Sequence, residues 1–134
     1  MAVYKLFPTQ DATLYSAYPT MNTGLDAILE ASNRLDLDGL PNVARYLIQF
    51  STSEIQDIIN NKISGDSYTV YLKNFIAEAQ GLNQSTKLEI RPIAQEWYNG
   101  TGYTLDNPII EDGASWTYSF YSGSNAWSLS GSNS

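Results

Sequence analysis

Between Val43 and Phe50 the chain alternates with a period of two. Ala44, Tyr46, Ile48 and Phe50 fall on one face, and Val43, Arg45, Leu47 and Gln49 on the other. Only extended backbone sends successive side chains to opposite sides, so this run commits the chain to at least one β-strand. The same habit recurs. In Tyr68–Ala77, Val70, Leu72 and Ile76 stand opposite Tyr71, Phe75 and Ala77, and Lys87–Ile93 and Ser115–Tyr121 read likewise. Nearer the N-terminus, Val3–Phe7 and Ala12–Tyr15 are expected as strands separated by Pro8, with Ala27–Ala31 as another short one. Turn-forming clusters divide them: Tyr18–Gly24, and the polar excursion Asn33–Asn42. Many short strands punctuated this way predict a sandwich or barrel, not an α/β fold. One segment departs from the period. Ser53 followed by Gln56 reads as a helix start, and Ile55, Ile58 and Ile59 share a helical face, with Asn60-Asn61 and Gly65 closing it.

Composition narrows the chemistry. The 134 residues include no Cys and no His. That removes disulfides, thiolate nucleophiles, Cys-based zinc sites and the usual general base near neutral pH. Fourteen acidic side chains against seven basic ones give a formal charge of −7, which repels phosphate backbones, so no nucleic-acid partner is expected. No apolar run reaches the roughly 20 residues of a membrane helix, so no membrane partner is expected. Met1–Pro8 shows no charged stretch followed by a long apolar core, so a secretory leader is not expected. The expectation is a protein that works where it is made, or leaves the cell by assembly or lysis.

Three constellations remain. The carboxylate pairs Asp36/Asp38 and Glu111/Asp112 are neighbours in sequence. A glycosidase instead holds two carboxyls apart across a cleft, so these read as solvated loops and no enzymatic activity is expected. Asp11, Asn22 and Asp26 offer the hard oxygen ligands that calcium takes from a loop, and calcium is the one cofactor the sequence suggests. The competing reading gives Asn22 and Gly24 to turn geometry. Trp97, Tyr98, Tyr103, Trp116, Tyr118, Tyr121 and Trp127 form an aromatic set suited either to stacking on sugar rings or to filling the core and its rims. Asn83-Gln84-Ser85 and Asn99-Gly100-Thr101 fit the N-glycosylation pattern.

The order of these elements is similar to that of a known family. Asp11 begins a strand, Pro19-Thr20-Met21-Asn22-Thr23-Gly24 leads to Leu29, and Arg45-Tyr46-Leu47-Ile48-Gln49-Phe50 forms a central strand. Tyr68–Leu72, Trp97-Tyr98-Asn99-Gly100-Thr101-Gly102, Gly113-Ala114-Ser115-Trp116 and Trp127 followed by Gly131 complete the succession. It resembles the DNRLRE-type β-sandwich domains, jelly-roll relatives of carbohydrate-binding modules. Two departures stand out. Phe50 runs into Ser51-Thr52-Ser53 instead of an Asp-x-Ser segment, and the family's strands beyond the last Trp–Gly element do not follow. Either they are absent, a neighbouring subunit completes the sheet, or the chain is part of a longer protein.

The resemblance implies an all-β, jelly-roll-like β-sandwich with one short helix. It spans 1–127 as a single domain, with 128–134 as a flexible or partner-bound tail. Such domains occur in secreted polysaccharide-degrading enzymes, in adhesins and in structural proteins of tailed bacteriophages. A Met that opens almost directly on the first strand favours the phage setting. The expectation is a virion structural protein, assembled in the host cytoplasm and acting through contacts with other virion proteins and with itself. Tyr18, Met21, Trp97, Trp116, Trp127 and the C-terminal tail are the candidate contacts. The alternative is a carbohydrate-binding module that recognises surface glycans.

Overall fold

A computed structural model describes residues 2–63, 65, 67–82, 85–121 and 124–128. Its regular structure is one three-stranded antiparallel sheet and one short helix, in keeping with the all-β reading. Strand β1 is Gln10–Tyr15, β2 is Ser32–Leu35 and β3 is Pro41–Gln49. The order is β1-β3-β2, so the strand with the clearest alternation is the central one. Across β1 and β3, Ala12 faces Leu47 and Tyr15 faces Ala44; across β2 and β3, Ser32 faces Ala44 and Leu35 faces Pro41.

The pleat sorts the core into two clusters. Ala12, Leu14 and Leu47 share one face of the sheet and pack with Trp97 and Ala114, while Trp116 and Trp127 close over them. Tyr15 and Ala44, on the other face, pack with Met21. Each fully buried Leu- or Met-sized side chain contributes about 1.5–3 kcal/mol. These two patches therefore hold the sheet from both sides. The outer edge of β1 is closed by a side chain: the Thr23 hydroxyl accepts from the Thr13 N–H at 3.0 Å and donates to the Thr13 carbonyl at 2.7 Å. That blunts an edge that would otherwise pair with another chain.

The β2–β3 hairpin closes through Asp36–Leu40. The Asp36 N–H donates to the Leu40 carbonyl at 2.8 Å, and the Gly39 N–H to the Asp36 carbonyl at 3.1 Å. The Asp36 carboxylate accepts from the N–H groups of Asp38 and Leu40 at 3.0 and 2.8 Å. Gly39 sits at φ 77°, where a side chain would be strained.

Several expectations need correction. Val3–Phe7 forms no strand. The strand expected at Ala27–Ala31 lies instead at Ser32–Leu35. There the Asp36 turn supplies an antiparallel partner, whereas the Glu30 N–H is taken by the Thr13 hydroxyl at 3.1 Å. Ser115–Tyr121 contributes only a single bridge, Tyr118 to Ala126. Tyr68–Ala77 and Lys87–Ile93 alternate as strands do, yet they form none, and every described residue from 67 to 94 is exposed. Alternation marks the face a strand would bury but supplies no partner backbone. Both edges of β3 are already taken, and β2 is only four residues long.

The helix, α1, spans Thr52–Asp57, and its cap is Ser51, not Ser53. The Ser51 hydroxyl accepts from the Glu54 N–H at 3.2 Å, so the helix starts two residues earlier than the sequence reading placed it. A single π-turn, Ile58–Lys62, extends it, with the Ile63 N–H donating to the Ile58 carbonyl at 3.0 Å. Ile58 is buried while Ile59 is exposed, so the expected apolar face is covered only in part.

Candidate functional site

Asn22 is fully buried and ties its own turn to two distant loop segments, 99–102 and 110–114. Its side-chain N–H groups donate to the carbonyls of Asn99 at 2.7 Å and Ala114 at 2.9 Å. Its side-chain oxygen accepts from the N–H groups of Gly24 at 3.1 Å and Gly102 at 2.9 Å. An amide side chain offers two donors and two acceptor lone pairs, so all four positions are filled by protein. Its own N–H donates to the Ile110 carbonyl at 2.8 Å. Glycines make this approach feasible. A Cβ on Gly24 would overlap the Asn99 carbonyl, and one on Gly100 (φ 76°) would overlap the Asn22 amide itself. Gly24 is thus required by close approach; its φ is not in the left-handed region, as turn geometry alone would have suggested.

Two threonines brace the same loops. The Thr101 N–H and hydroxyl both donate to Asp112, at 2.9 and 2.5 Å. Thr104 treats Asp26 in the same manner, its N–H at 3.0 Å and its hydroxyl on the second oxygen. Beside them the Tyr15 hydroxyl donates to Glu30 at 3.0 Å, and Glu30 also accepts from Ser32 at 2.7 Å and pairs with Arg34 at 3.2 Å. Burial foremost pushes the Tyr15 phenol up from 10.0 to about 12; its hydrogen bond with Thr104 works against that, while the carboxylates of Glu30 and Asp26 add to it. The Asp11 carboxyl, on β1, is also raised by burial.

Of the calcium candidates, Asn22 and Asp26 sit in this loop cluster and Asp11 on the neighbouring strand. The Asn22 oxygen has no lone pair left for an ion, and Asp26 accepts from Thr104 through both oxygens. Among the described residues, no group of three or more Asp, Glu, His or Cys side chains converges as metal ligands do.

The aromatic candidates divide by burial. Trp97 is a core residue, and Met21 is 1% exposed, so neither offers a surface in this chain. Trp116 is half-buried, with the Arg45 guanidinium 5.0 Å from its ring centre, and the half-buried Trp127 donates its indole N–H to the Ser115 carbonyl at 3.0 Å. Tyr98, Tyr103 and Tyr121 are exposed. Trp116 and Trp127, with the little of Trp97 that is exposed, are among the residues that line an open groove of about 1350 Å³, as are β3 and residues 88–98. Tyr18 is exposed at a smaller recess beside the β2–β3 turn, where the buried side-chain oxygen of Asn42 has no partner among the described residues.

Of the glycosylation patterns, Asn83 and Gln84 lie outside the described residues, and Asn99 is half-buried with its carbonyl committed to Asn22. Of the tail, Ser128 donates its N–H to the Gln95 side chain at 2.8 Å; residues 129–134, Gly131 among them, lie outside the described residues. Sequence reasoning missed Thr23, Thr101 and Thr104, whose bonds are with Thr13, Asp112 and Asp26. Their spacing carries no periodic signal; only their place beside Asn-x-Gly and Asn-Gly turns hinted at them.

No protein family, curated protein or solved structure matches the chain. No helix among the described residues is long and apolar enough to cross a membrane.

Proposed function

We propose that this chain is a DNRLRE-type, jelly-roll-like β-sandwich domain and a structural component of a tailed-bacteriophage virion, at the head surface, neck, tail or fibre. It is assembled in the host cytoplasm and acts by contact with other virion proteins, without turnover. One observation carries the reading. The polar groups of the loop cluster are spent on one another, while a long stretch of strand-patterned apolar side chains faces outward. Val70, Tyr71, Phe75, Ile76, Leu88 and Ile90 are all well exposed. A catalytic cleft needs the opposite arrangement, with polar groups left open to a substrate. An apolar surface of this extent is instead suited to burial against neighbouring subunits.

The family likeness has its own support. Asn-x-Gly at 22–24, Asn-Gly at 99–100, Gly102 and Gly113-Ala114 are scattered through 90 residues of sequence. They are the elements that carry the resemblance, and they meet at the Asn22 amide. The sheet supplies one layer of the sandwich. In this reading the second is built from the loops of residues 95–121 and is completed when the 67–94 segment is covered in an assembly.

Mass spectrometry of purified particles from a culture that expresses the chain tests the proposal. The protein is expected in stoichiometric amounts, and its absence from particles overturns the reading. The half-buried Trp116 in an open groove that the exposed Tyr98 also lines favours glycan recognition as the second reading. A glycan array separates the two, because binding that is lost in Trp116→Ala at unchanged melting temperature supports only the second.

A further inference from the structure

The sequence holds one Asn-Gly pair, Asn99-Gly100, and the fold places it against the Asn22 amide. Such a pair can consume its own side-chain amide. The glycine nitrogen attacks the asparagine Cγ, and glycine has no side chain to hinder the approach. A new C–N bond closes a five-membered imide, and the amide nitrogen leaves as ammonia with the proton that the glycine nitrogen gives up. Water then reopens the ring at one of its two carbonyls, which yields aspartate or isoaspartate. Asn99 is half-buried and within reach of water, and no described residue bonds its side-chain amide. Its side chain is thus free to react. Its backbone is not.

A near-flat ring requires the Gly100 nitrogen to eclipse the Asn99 Cβ, a ψ outside the ordinary backbone regions. The Asn99–Gly100 peptide must turn to reach it, and the Asn99 carbonyl turns with it. That carbonyl accepts from the Asn22 amide at 2.7 Å, and the Asn99 N–H donates to the Gln10 side chain at 3.2 Å. Gly100 has no room to follow. A Cβ there would lie 2.3 Å from the Asn22 side-chain oxygen, and one on Gly113 would lie 2.5 Å from the Gly100 Cα. Thr101, next in the chain, is held by Asp112 through its N–H and its hydroxyl. We infer that Asn99 is a self-modification site gated by the Asn22 clamp, and that its conversion makes opening of the clamp irreversible. In isoaspartate the backbone runs through the former side chain and gains a carbon, so the carbonyl that Asn22 held becomes part of a free carboxylate. A local opening, otherwise reversible, then sets a lifetime for the folded chain. This is separate from the virion reading and holds or fails without it.

Incubation of the full chain in mildly alkaline buffer tests this, read by peptide mass spectrometry with fragmentation that separates aspartate from isoaspartate. In the folded chain Asn99 is expected to keep its amide. In urea beyond the unfolding midpoint it is expected to convert ahead of every other asparagine. Equal rates in the two states overturn the gating. Asn22→Leu, where circular dichroism shows it folded, is expected to convert at least about tenfold faster than the unaltered chain, which corresponds to ~1.4 kcal/mol of easier opening. An unchanged rate overturns the part given to Asn22. Should Asn22→Leu not fold, Gln10→Ala carries the comparison: it frees the Asn99 N–H, and a smaller acceleration is expected. Asn99→Asp then tests the irreversible step, because it brings the charge without the longer backbone. It is expected to melt close to the unaltered chain, whereas the isolated isoaspartate form melts lower and does not recover on refolding. An isoaspartate form that melts like Asn99→Asp overturns that step.

Discussion

The loops around Asn22 and the segment from 67 to 94 are both largely free of regular secondary structure, yet they are opposites in their physics. Around Asn22, two backbone carbonyls and two backbone N–H groups are met by one side-chain amide, and glycines let the chains touch. From 67 to 94 the side chains are rich in Val, Ile, Leu and aromatic residues, but none of those described is buried. Irregular backbone can thus be the most tightly specified part of a fold when a buried amide organises it. A strand-like pattern, by contrast, specifies little until a partner supplies the other half of its hydrogen bonds and its burial.

The comparison breaks most visibly at Asn22. Asn22→Leu leaves two carbonyls and two N–H groups buried without partners, and at about 1–3 kcal/mol per orphaned group the loss should exceed 3 kcal/mol. Urea denaturation reads it as a fall in midpoint, and a loss under 1 kcal/mol would mean that the loops hold without the amide. Gly24→Ala comes next. Its Cβ overlaps a backbone carbonyl that cannot swing away, so a cost of about 2–4 kcal/mol is expected.

Tyr15→Phe removes one hydrogen bond to Glu30, worth about 1 kcal/mol. It also has a pH signature. Folding raises the phenol's pKa, so its contribution is intact below 10 and is lost as pH climbs toward and past about 12. The stability of Tyr15→Phe should fall less across that window, and identical alkaline profiles would remove Tyr15 from the account. Asp11→Asn should act in the other direction. Burial raises the carboxyl's pKa, which means that the charged form weighs against folding at neutral pH. The substitution is expected to give a gain at pH 7, smaller than any of the losses above, that fades as pH falls to the ordinary Asp value and below.

The smallest effect belongs to the other region. Phe75→Ala should change the stability of the isolated chain by no more than about 0.5 kcal/mol, as for other exposed positions. A loss above 2 kcal/mol in the monomer would place Phe75 in a core and erase the contrast.

The strands that the sequence predicted well are those whose partners lie close by or repeat the same alternation. Ala12–Tyr15 and Val43–Phe50 were legible because they alternate, and the structure buries Ala12, Leu14 and Leu47 on one side of the sheet and Tyr15 and Ala44 on the other. The helix was legible as an element, but its cap was misassigned. Ser51 and Ser53 are chemically alike, and only the hydrogen bond to Glu54 distinguishes them. Asn22 was visible as a turn residue and a candidate ligand. Its role as a four-way clamp was not, because three of its four partners lie 77 to 92 residues away. Trp97 and Met21, offered by the sequence as contacts, are core residues for a related reason: type and hydrophobicity do not tell which face of a loop will close.

Local alternation, turn residues and composition determined that this chain is β-rich, carries one short helix, and lacks thiol and imidazole chemistry. These properties follow from bond geometry and from side chains considered one at a time. Which alternating runs become strands, which asparagine is buried and which aromatics stay outside were decided only in three dimensions. Hydrogen bonds and burial need two surfaces, and the second surface is distant along the chain.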